Sequence, residues 1–184
     1  MIVVPGKFVY AGSPRTGSHY IYAVLQAHFP NAVRSEQHHA SIGDVLNAKR
    51  AGGIPIYTVV REPVEHLFSF YWNSLQKYPG RIVTTTFKEF IEGRRPPNAP
   101  YQKATDFPPG ALCVYRNVAD EFFPFEDGFG TLMDKLGVDD THGIKPTRLP
   151  TDEYIAARKQ VTVADKRLLR KYFKRDYELY KSMR

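Results

Sequence analysis

One segment near the amino terminus combines glycines, hydroxyl side chains and a cation at a spacing that suits anion binding. Gly12 and Gly17 bound a polar loop. Ser13, Thr16 and Ser18 supply hydroxyl groups inside and just after it, Arg15 supplies a guanidinium, and Pro14 lies between them. The apolar run 8–11 precedes the loop and apolar residues at helical spacing follow it, which predicts a strand, a loop and a helix. Loop N–H groups and a helix amino terminus attract anions, so the segment predicts a phosphate-type site.

The loop differs from a nucleotide P-loop after its second glycine. The spacing between Gly12 and Gly17 is that of a P-loop, which continues with Lys and then Ser or Thr. Here Ser18 and His19 stand in those places, and the cation lies inside the loop at Arg15. The loop therefore suits a phosphate-like anion that needs no metal. The alternative is a strand, turn and helix whose glycines serve geometry alone.

A second candidate anion-binding position follows another predicted strand. Residues 54–60 form the apolar run of a central strand, Arg61 follows it, and a helix begins near Pro63. A guanidinium can bind a phosphate through two parallel hydrogen bonds, and Ser69, two turns along the helix, can add a hydroxyl. Two anion-binding elements at the ends of parallel strands suit a nucleoside that carries phosphates at both ends.

Candidate bases follow a short strand predicted at residues 32–34. They are Glu36, His38 and His39. Histidine is the side chain best suited to take a proton near neutral pH. Ligands bind outside the carboxyl ends of the strands in an open parallel sheet, so we expect these residues at the same edge as the loop. Ordinary polar loop histidines are the alternative.

These stretches together resemble motifs of sulfotransferases that use 3′-phosphoadenosine 5′-phosphosulfate (PAPS). Residues 13–18 are similar to the loop that binds the 5′-phosphosulfate. Residues 60–71 resemble the R-x-P…S-x-Y motif that binds the 3′-phosphate, and residues 39–41 resemble the segment with the catalytic histidine in the carbohydrate-type branch. Weaker similarities lie at residues 125–137 and 176–180. The five stretches occur in the family's order and cover most of the chain.

The resemblance implies an enzyme that moves the sulfuryl group of PAPS to an acceptor hydroxyl and releases 3′-phosphoadenosine 5′-phosphate (PAP), without a metal. The acceptor would be a carbohydrate or a small molecule. The cofactor-binding residues would be Ser13, Pro14, Arg15, Thr16, Gly17, Ser18, His19, Arg61 and Ser69. His39 would act as the base, with His38 and Glu36 as alternates, and Arg15 would stabilise charge on the leaving phosphate. The chain departs from the family at His19, where many members have Ser or Thr.

Two other classes of function stay open. A nucleotide kinase or NTPase on the same scaffold is disfavoured by the altered residues after Gly17. A non-catalytic binder of anionic polymers is permitted by a net charge of +7, from 26 Lys and Arg against 19 Asp and Glu. Charge alone favours an anionic partner of any kind. With the resemblance, a nucleic acid is the less favoured partner.

The predicted fold is a three-layer, P-loop-like α/β domain over residues 1–184, with a central parallel sheet of about four to five strands flanked by helices. Cys113 is alone, so no internal disulfide forms, and no cysteine and histidine cluster indicates zinc. The sequence shows neither a signal peptide nor a membrane-spanning run, which predicts a cytoplasmic location. It leaves open the acceptor, the residue stacked on adenine, the roles of loops 94–110 and 139–150, and the oligomeric state.

Overall fold

The computed structural model describes residues 1–35, 40–77, 86–92, 112–146 and 150–184. The chain divides into two compact units. The first holds Met1–Arg61, Cys113–Arg148 and Met183–Arg184, and the second holds Glu62–Leu112 and Leu149–Ser182. The expectation of a single domain stays a prediction.

The first unit is built on a five-stranded mixed sheet with the strand order β3-β1-β2-β4-β5. The strands are β1 Ile2–Val4, β2 Phe8–Tyr10, β3 Val33–Arg34, β4 Ile56–Val60 and β5 Glu121–Pro124. Strands β2, β4 and β5 are parallel, whereas β1 pairs antiparallel with both β2 and β3. The predicted α/β class and number of strands are therefore confirmed, and the prediction of a purely parallel sheet is wrong.

A tight turn explains the antiparallel pairing of β1 with β2. Pro5 and Gly6 occupy its centre, Gly6 has a φ of +72°, and the Lys7 N–H donates to the Val4 carbonyl at 3.0 Å. Such a short connection can join only antiparallel strands. Strand β1 was not predicted, although a proline-glycine pair after three apolar residues is a recognisable turn signal.

The two antiparallel pairings leave β3 pointing in the same direction as β2. Ile2 of β1 is paired with Tyr10 on one side and with Arg34 on the other. The carboxyl ends of β2 and β3 therefore reach the same edge of the sheet, about two strand spacings or roughly 10 Å apart. The parallel strands β4 and β5 end at this edge as well.

The helices in the described residues are, in chain order, α1 Ser18–His28, α2 Ile42–Gly52, α3 Pro63–Lys77, α4 Phe87–Glu92, α5 Gly130–Leu136, α6 Asp152–Lys159, α7 Val163–Tyr172 and α8 Lys174–Ser182. In the first unit, α1 and α5 pack on one face of the sheet. Helix α2 and the turns around Tyr115 pack on the other face. Alternation along β2 explains this, since Phe8 and Tyr10 point to the first face and Val9 to the second.

The sequence predicts Ser41 as the N-cap of a helix that stops at Gly52 and Gly53, and Thr151 as the N-cap of a helix over residues 152–159. Ser41 begins α2 with a capping box to Asp44, and Gly53 ends that helix in the left-handed conformation. Thr151 caps α6 with its side chain alone, by accepting from the Tyr154 N–H. The predicted caps of these two helices are therefore confirmed.

Two predictions about secondary structure are wrong. The single helix expected from Thr162 or Asp165 to residue 182 is two helices, α7 and α8. They separate at Phe173, whose φ of −115° and ψ of 37° leave the helical region while its side chain is buried. Residues 112–115, expected to be a strand or a helix, form hydrogen-bonded turns that still bury Leu112 and Tyr115.

The second unit is helical and packs around aromatic side chains. Phe68 of α3 lies at its centre, with ring centroids 5.3 Å from Phe87 and 5.2 Å from Tyr154. Tyr71 and Trp72 pack against the same cluster of helical side chains.

None of the helices in the described ranges is both long and apolar enough to cross a membrane.

Asp120 joins three elements of the first unit, and its contribution to stability should depend on pH. Its carboxylate accepts from the Ile56 N–H at 2.8 Å and pairs with Lys49 of α2. Burial acts to raise the pKa of Asp120, but these two partners outweigh it and lower that pKa. A lowered pKa gives stability that is present above the ordinary aspartate value of about 3.9 and is lost as the pH falls below it.

Asp120→Asn should therefore cost about 0.2–1 kcal/mol of unfolding free energy at pH 7, the usual range for an exposed ion pair. At pH 3 the difference from wild type should shrink, because the Asp120 carboxyl of the unfolded chain is then largely protonated and must lose that proton to form the native pair. Urea unfolding of both proteins at the two pH values measures the difference in unfolding free energy. An equal difference at pH 7 and pH 3 would contradict an ionised role for Asp120.

Candidate anion-binding site

The backbone of loop 11–17 has the alternating conformation of an anion-binding turn. Arg15 and Gly17 have φ values of +63° and +73°, whereas Thr16 between them stays outside the positive region. Such alternation turns successive N–H groups toward one concave side. The left-handed conformation costs a non-glycine residue such as Arg15 on the order of 1–3 kcal/mol. Surrounding contacts must therefore hold the loop in this shape.

Both glycines that bound the loop are required by close neighbours. A Cβ on Gly12 would lie 2.6 Å from the Tyr22 hydroxyl oxygen and 2.6 Å from the Ser18 Cβ. A Cβ on Gly17 would lie 2.5 Å from the ring of Phe129, and Gly17 also needs its positive φ. Gly17 is the N-cap of α1 and has no side chain to cap the first-turn N–H groups. The loop thus leads into a helix end of the kind that binds anions.

The hydroxyl groups of the loop are buried. Ser13, Thr16 and Ser18 are 0%, 0% and 3% exposed. The Thr16 hydroxyl donates to the Ser13 carbonyl at 2.7 Å and so closes the turn. The Ser13 Oγ has no hydrogen-bond partner among the described residues. Because buried polar groups are nearly always paired, this hydroxyl is a candidate ligand contact.

Arg61 reaches the loop from the end of β4. Its Nη1 donates to the Arg15 carbonyl at 3.3 Å, and its guanidinium lies 4.6 Å from the ring centre of Phe125. Two more hydrogen bonds join β4 to the end of β2, from the Ala11 N–H to the Tyr57 carbonyl at 2.9 Å and from the Thr58 hydroxyl to the Ala11 carbonyl at 2.7 Å. The loop and Arg61 therefore share one edge of the sheet.

Two buried tyrosine side chains, Tyr22 of α1 and Tyr10 of β2, support the loop from the hydrophobic core. The Tyr22 hydroxyl accepts from the Gly12 N–H at 3.2 Å, and its ring packs edge-on against Tyr10, with centroids 5.7 Å apart. Burial raises the pKa of Tyr22 to about 12, although the Gly12 N–H and Arg34 act to lower that pKa. Burial also raises the pKa of Tyr10 well above its ordinary value. Both phenols are thus protonated and neutral at physiological pH.

The remaining predicted loop residues lie at the surface of this site. Pro14 and Arg15 are partly exposed, and His19 is exposed in the first turn of α1. Ser69 lies in α3 of the second unit and is 3% exposed. Its joint role with Arg61 stays a prediction. Within the described ranges, no three His, Cys, Asp or Glu side chains lie together as metal ligands.

The candidate bases Glu36, His38 and His39 lie outside the described residues, as does loop 94–110. The strand that precedes the bases ends at the edge where the loop lies, as expected. Ala40, which follows them, is buried in the cluster that contains Ala11, and its carbonyl accepts from the Tyr115 hydroxyl at 2.9 Å.

Four side chains around the loop were missed from the sequence: Tyr22, Arg34, Phe125 and Phe129. They come from α1, β3 and the segment before α5, far apart in the chain. Tyr22 carries a weak local signal, since it lies one helical turn after Ser18. The other three are brought to the loop by strand order and helix packing, and no spacing in the sequence indicates that.

No family model matches this chain, and no match to it was found among the curated proteins or the solved structures. The function of this chain is therefore inferred from the geometry of loop 11–17 and Arg61 and from the motif resemblance in the sequence.

Proposed function

We propose that this protein is a PAPS-dependent sulfotransferase on a P-loop-like scaffold, and that it transfers a sulfuryl group to a hydroxyl of a carbohydrate or small molecule. The observation that carries the proposal is the pairing of loop 11–17 with Arg61. A loop with hydroxyls, N–H groups and an internal cation lies at hydrogen-bond distance from a second guanidinium on the next parallel strand. Each of these groups favours an oxyanion.

In this proposal the 5′-phosphosulfate of PAPS binds loop 11–17. Ser13 is the best supported contact, because its buried hydroxyl has no partner among the described residues. Arg61, with Ser69 added from the sequence motif, would hold the 3′-phosphate. The Phe125 ring beside the Arg61 guanidinium limits that side chain's motion. A PAPS molecule bound in this way would be recognised at both ends of its nucleoside.

The reaction would be an in-line displacement at sulfur. The acceptor oxygen forms a new bond to sulfur while the bond between sulfur and the 5′-phosphate oxygen breaks, and PAP leaves with that electron pair. His39 would take the acceptor proton, with His38 and Glu36 as alternates. Arg15 and the loop N–H groups would stabilise the charge that develops on the leaving phosphate. The proposed loop contacts need no metal.

Replacing Ser13 by alanine should change stability and binding in opposite directions. Removal of a buried hydroxyl that lacks a partner should stabilise the ligand-free protein by about 1 kcal/mol. Loss of the proposed contact should weaken PAP binding by about 3–10-fold, equivalent to one neutral hydrogen bond. Urea unfolding without ligand and calorimetric titration with PAP measure the two effects.

Ser74→Ala is the matched control for this experiment. Ser74 is also buried, but its hydroxyl donates to the Phe70 carbonyl at 2.9 Å within α3. Its replacement should leave PAP affinity unchanged. If Ser13→Ala binds PAP as tightly as wild type, Ser13 does not contact the nucleotide. If neither wild type nor Ser13→Ala binds PAP, the proposed function is wrong.

A further inference from the structure

Arg34 lies on the side of the anion-binding loop opposite to Arg61, with β1 between its strand and β2. It is the last residue of β3 and is exposed. In the strand order β3-β1-β2-β4-β5, β2 with its loop lies between β3 and β4, which ends next to Arg61. The loop is therefore flanked by two guanidinium groups, and only Arg61 was expected from the sequence.

One side chain connects the Arg34 guanidinium to the loop backbone. The guanidinium lies over the ring of Tyr22, 5.1 Å from its centroid. The hydroxyl of the same ring accepts from the Gly12 N–H at 3.2 Å. A cation held against an aromatic face loses less freedom when it binds an anion than an unsupported surface side chain does. Tyr22 thus supports both the loop and the cation next to it.

The direction that the nucleotide would take in the proposed function indicates what this cation would meet. If Arg61 holds the 3′-phosphate and the loop holds the 5′ end, the nucleotide extends from β4 toward β2. The group beyond the 5′-phosphate then points toward β3. That group is the sulfuryl group, and the acceptor approaches sulfur from the side opposite to the leaving phosphate.

We propose that Arg34 forms a second oxyanion-binding position on the β3 side of loop 11–17. This inference depends on the proposed function, because it takes the 5′ end of the nucleotide to lie in the loop. The oxyanion has two chemical sources, the sulfuryl group of PAPS or an acidic group on the acceptor. Arg34 would bind either one through charge-assisted hydrogen bonds.

The experiment compares wild type with Arg34→Gln, which keeps a polar side chain and removes the charge. Calorimetry without magnesium gives the dissociation constants of PAP and PAPS for both proteins. A third titration adds inorganic sulfate to each PAP-saturated protein. Arg50→Gln is the control for net charge, since Arg50 is exposed in the last turn of α2, away from the loop.

Two results support the proposal, and they distinguish its two sources. If Arg34 meets the sulfuryl group, PAPS binding weakens about tenfold in Arg34→Gln, while PAP affinity stays within about twofold. If it meets an acidic group of the acceptor, the affinities for PAP and for PAPS each stay within about twofold of wild type, and sulfate binds PAP-saturated wild type but not PAP-saturated Arg34→Gln. Arg50→Gln matches wild type in both cases.

Other results overturn the proposal. Equal weakening of PAP and PAPS would mean that Arg34 only supports the loop through Tyr22. No change in any titration would show that Arg34 is a solvated charge that stacks on the Tyr22 ring and binds no oxyanion. Both results leave the proposed function intact because wild type still binds PAP. A wild type that binds neither nucleotide would instead contradict the proposed function and this inference together.

Discussion

Replacing His39 by alanine is expected to lower sulfuryl transfer by about 10²–10⁴-fold, the usual contribution of a positioned base. The expectation comes from the motif resemblance of residues 39–41 and from the direction of β3, which ends at the same edge of the sheet as the anion-binding loop. Affinity for PAP should stay within about twofold, because the base acts on the acceptor and not on the nucleotide. The rate at which PAP is released from PAPS measures the effect, in the presence of a carbohydrate acceptor found by screening.

His38→Ala is the matched control, since it removes the neighbouring imidazole. Under the proposed assignment it retains most of the turnover. If His38→Ala loses turnover and His39→Ala does not, the two roles are exchanged. Normal turnover in both variants and in Glu36→Ala would contradict a base in this segment.

Gly17→Ala should destabilise the protein by about 2–5 kcal/mol and abolish PAP binding. Two costs combine at this position. A side chain in the left-handed conformation costs roughly 1–2 kcal/mol, and overpacking against the Phe129 ring, 2.5 Å from the new Cβ, adds about 1–3 kcal/mol. Because Gly17 is the N-cap of α1, a shift that relieves the contact also moves the loop N–H groups. Urea unfolding and PAP calorimetry test both parts.

Gly6→Ala separates the two costs. Gly6 has a φ of +72°, nearly that of Gly17, but nothing lies within 4 Å of the Cβ that alanine would add. It should lose only the backbone cost of roughly 1–2 kcal/mol and should bind PAP normally. Equal destabilisation by the two substitutions would show that the Phe129 contact is unimportant.

The sequence predicts the local parts of this site well. The strand, loop and helix around Gly12 and Gly17, the central strand β4 with Arg61 at its end, and the N-cap of α2 at Ser41 all follow from short-range patterns. Backbone conformation, helix capping and hydrophobic periodicity act over a few residues, so the sequence displays them directly.

What the sequence does not predict is how distant segments meet at the loop. The Phe129 ring fixes Gly17, and Arg34 reaches Tyr22, through strand order and helix packing. The antiparallel direction of β1 decides where β3 lies, and it depends on the turn at Pro5 and Gly6, which the proline-glycine pair indicates but the apolar pattern alone does not. The break at Phe173, whose ring is buried, is likewise not shown by the helical pattern of residues 162–182.

The direct test of the proposed bisphosphate site is calorimetric titration of PAP, 5′-AMP and ATP into wild type, Arg61→Ala and Arg50→Ala. Wild type should bind PAP about 10–100-fold more tightly than 5′-AMP without magnesium, the range expected for hydrogen bonds to a charged group. In Arg61→Ala this ratio should fall sharply toward one, since only the Ser69 hydroxyl would remain for the 3′-phosphate, and the affinity for 5′-AMP reports any damage to the loop. Arg50→Ala should match wild type. Equal binding of PAP and 5′-AMP by wild type, or a magnesium-dependent preference for ATP, would contradict a PAPS-dependent sulfotransferase and favour a kinase-type site.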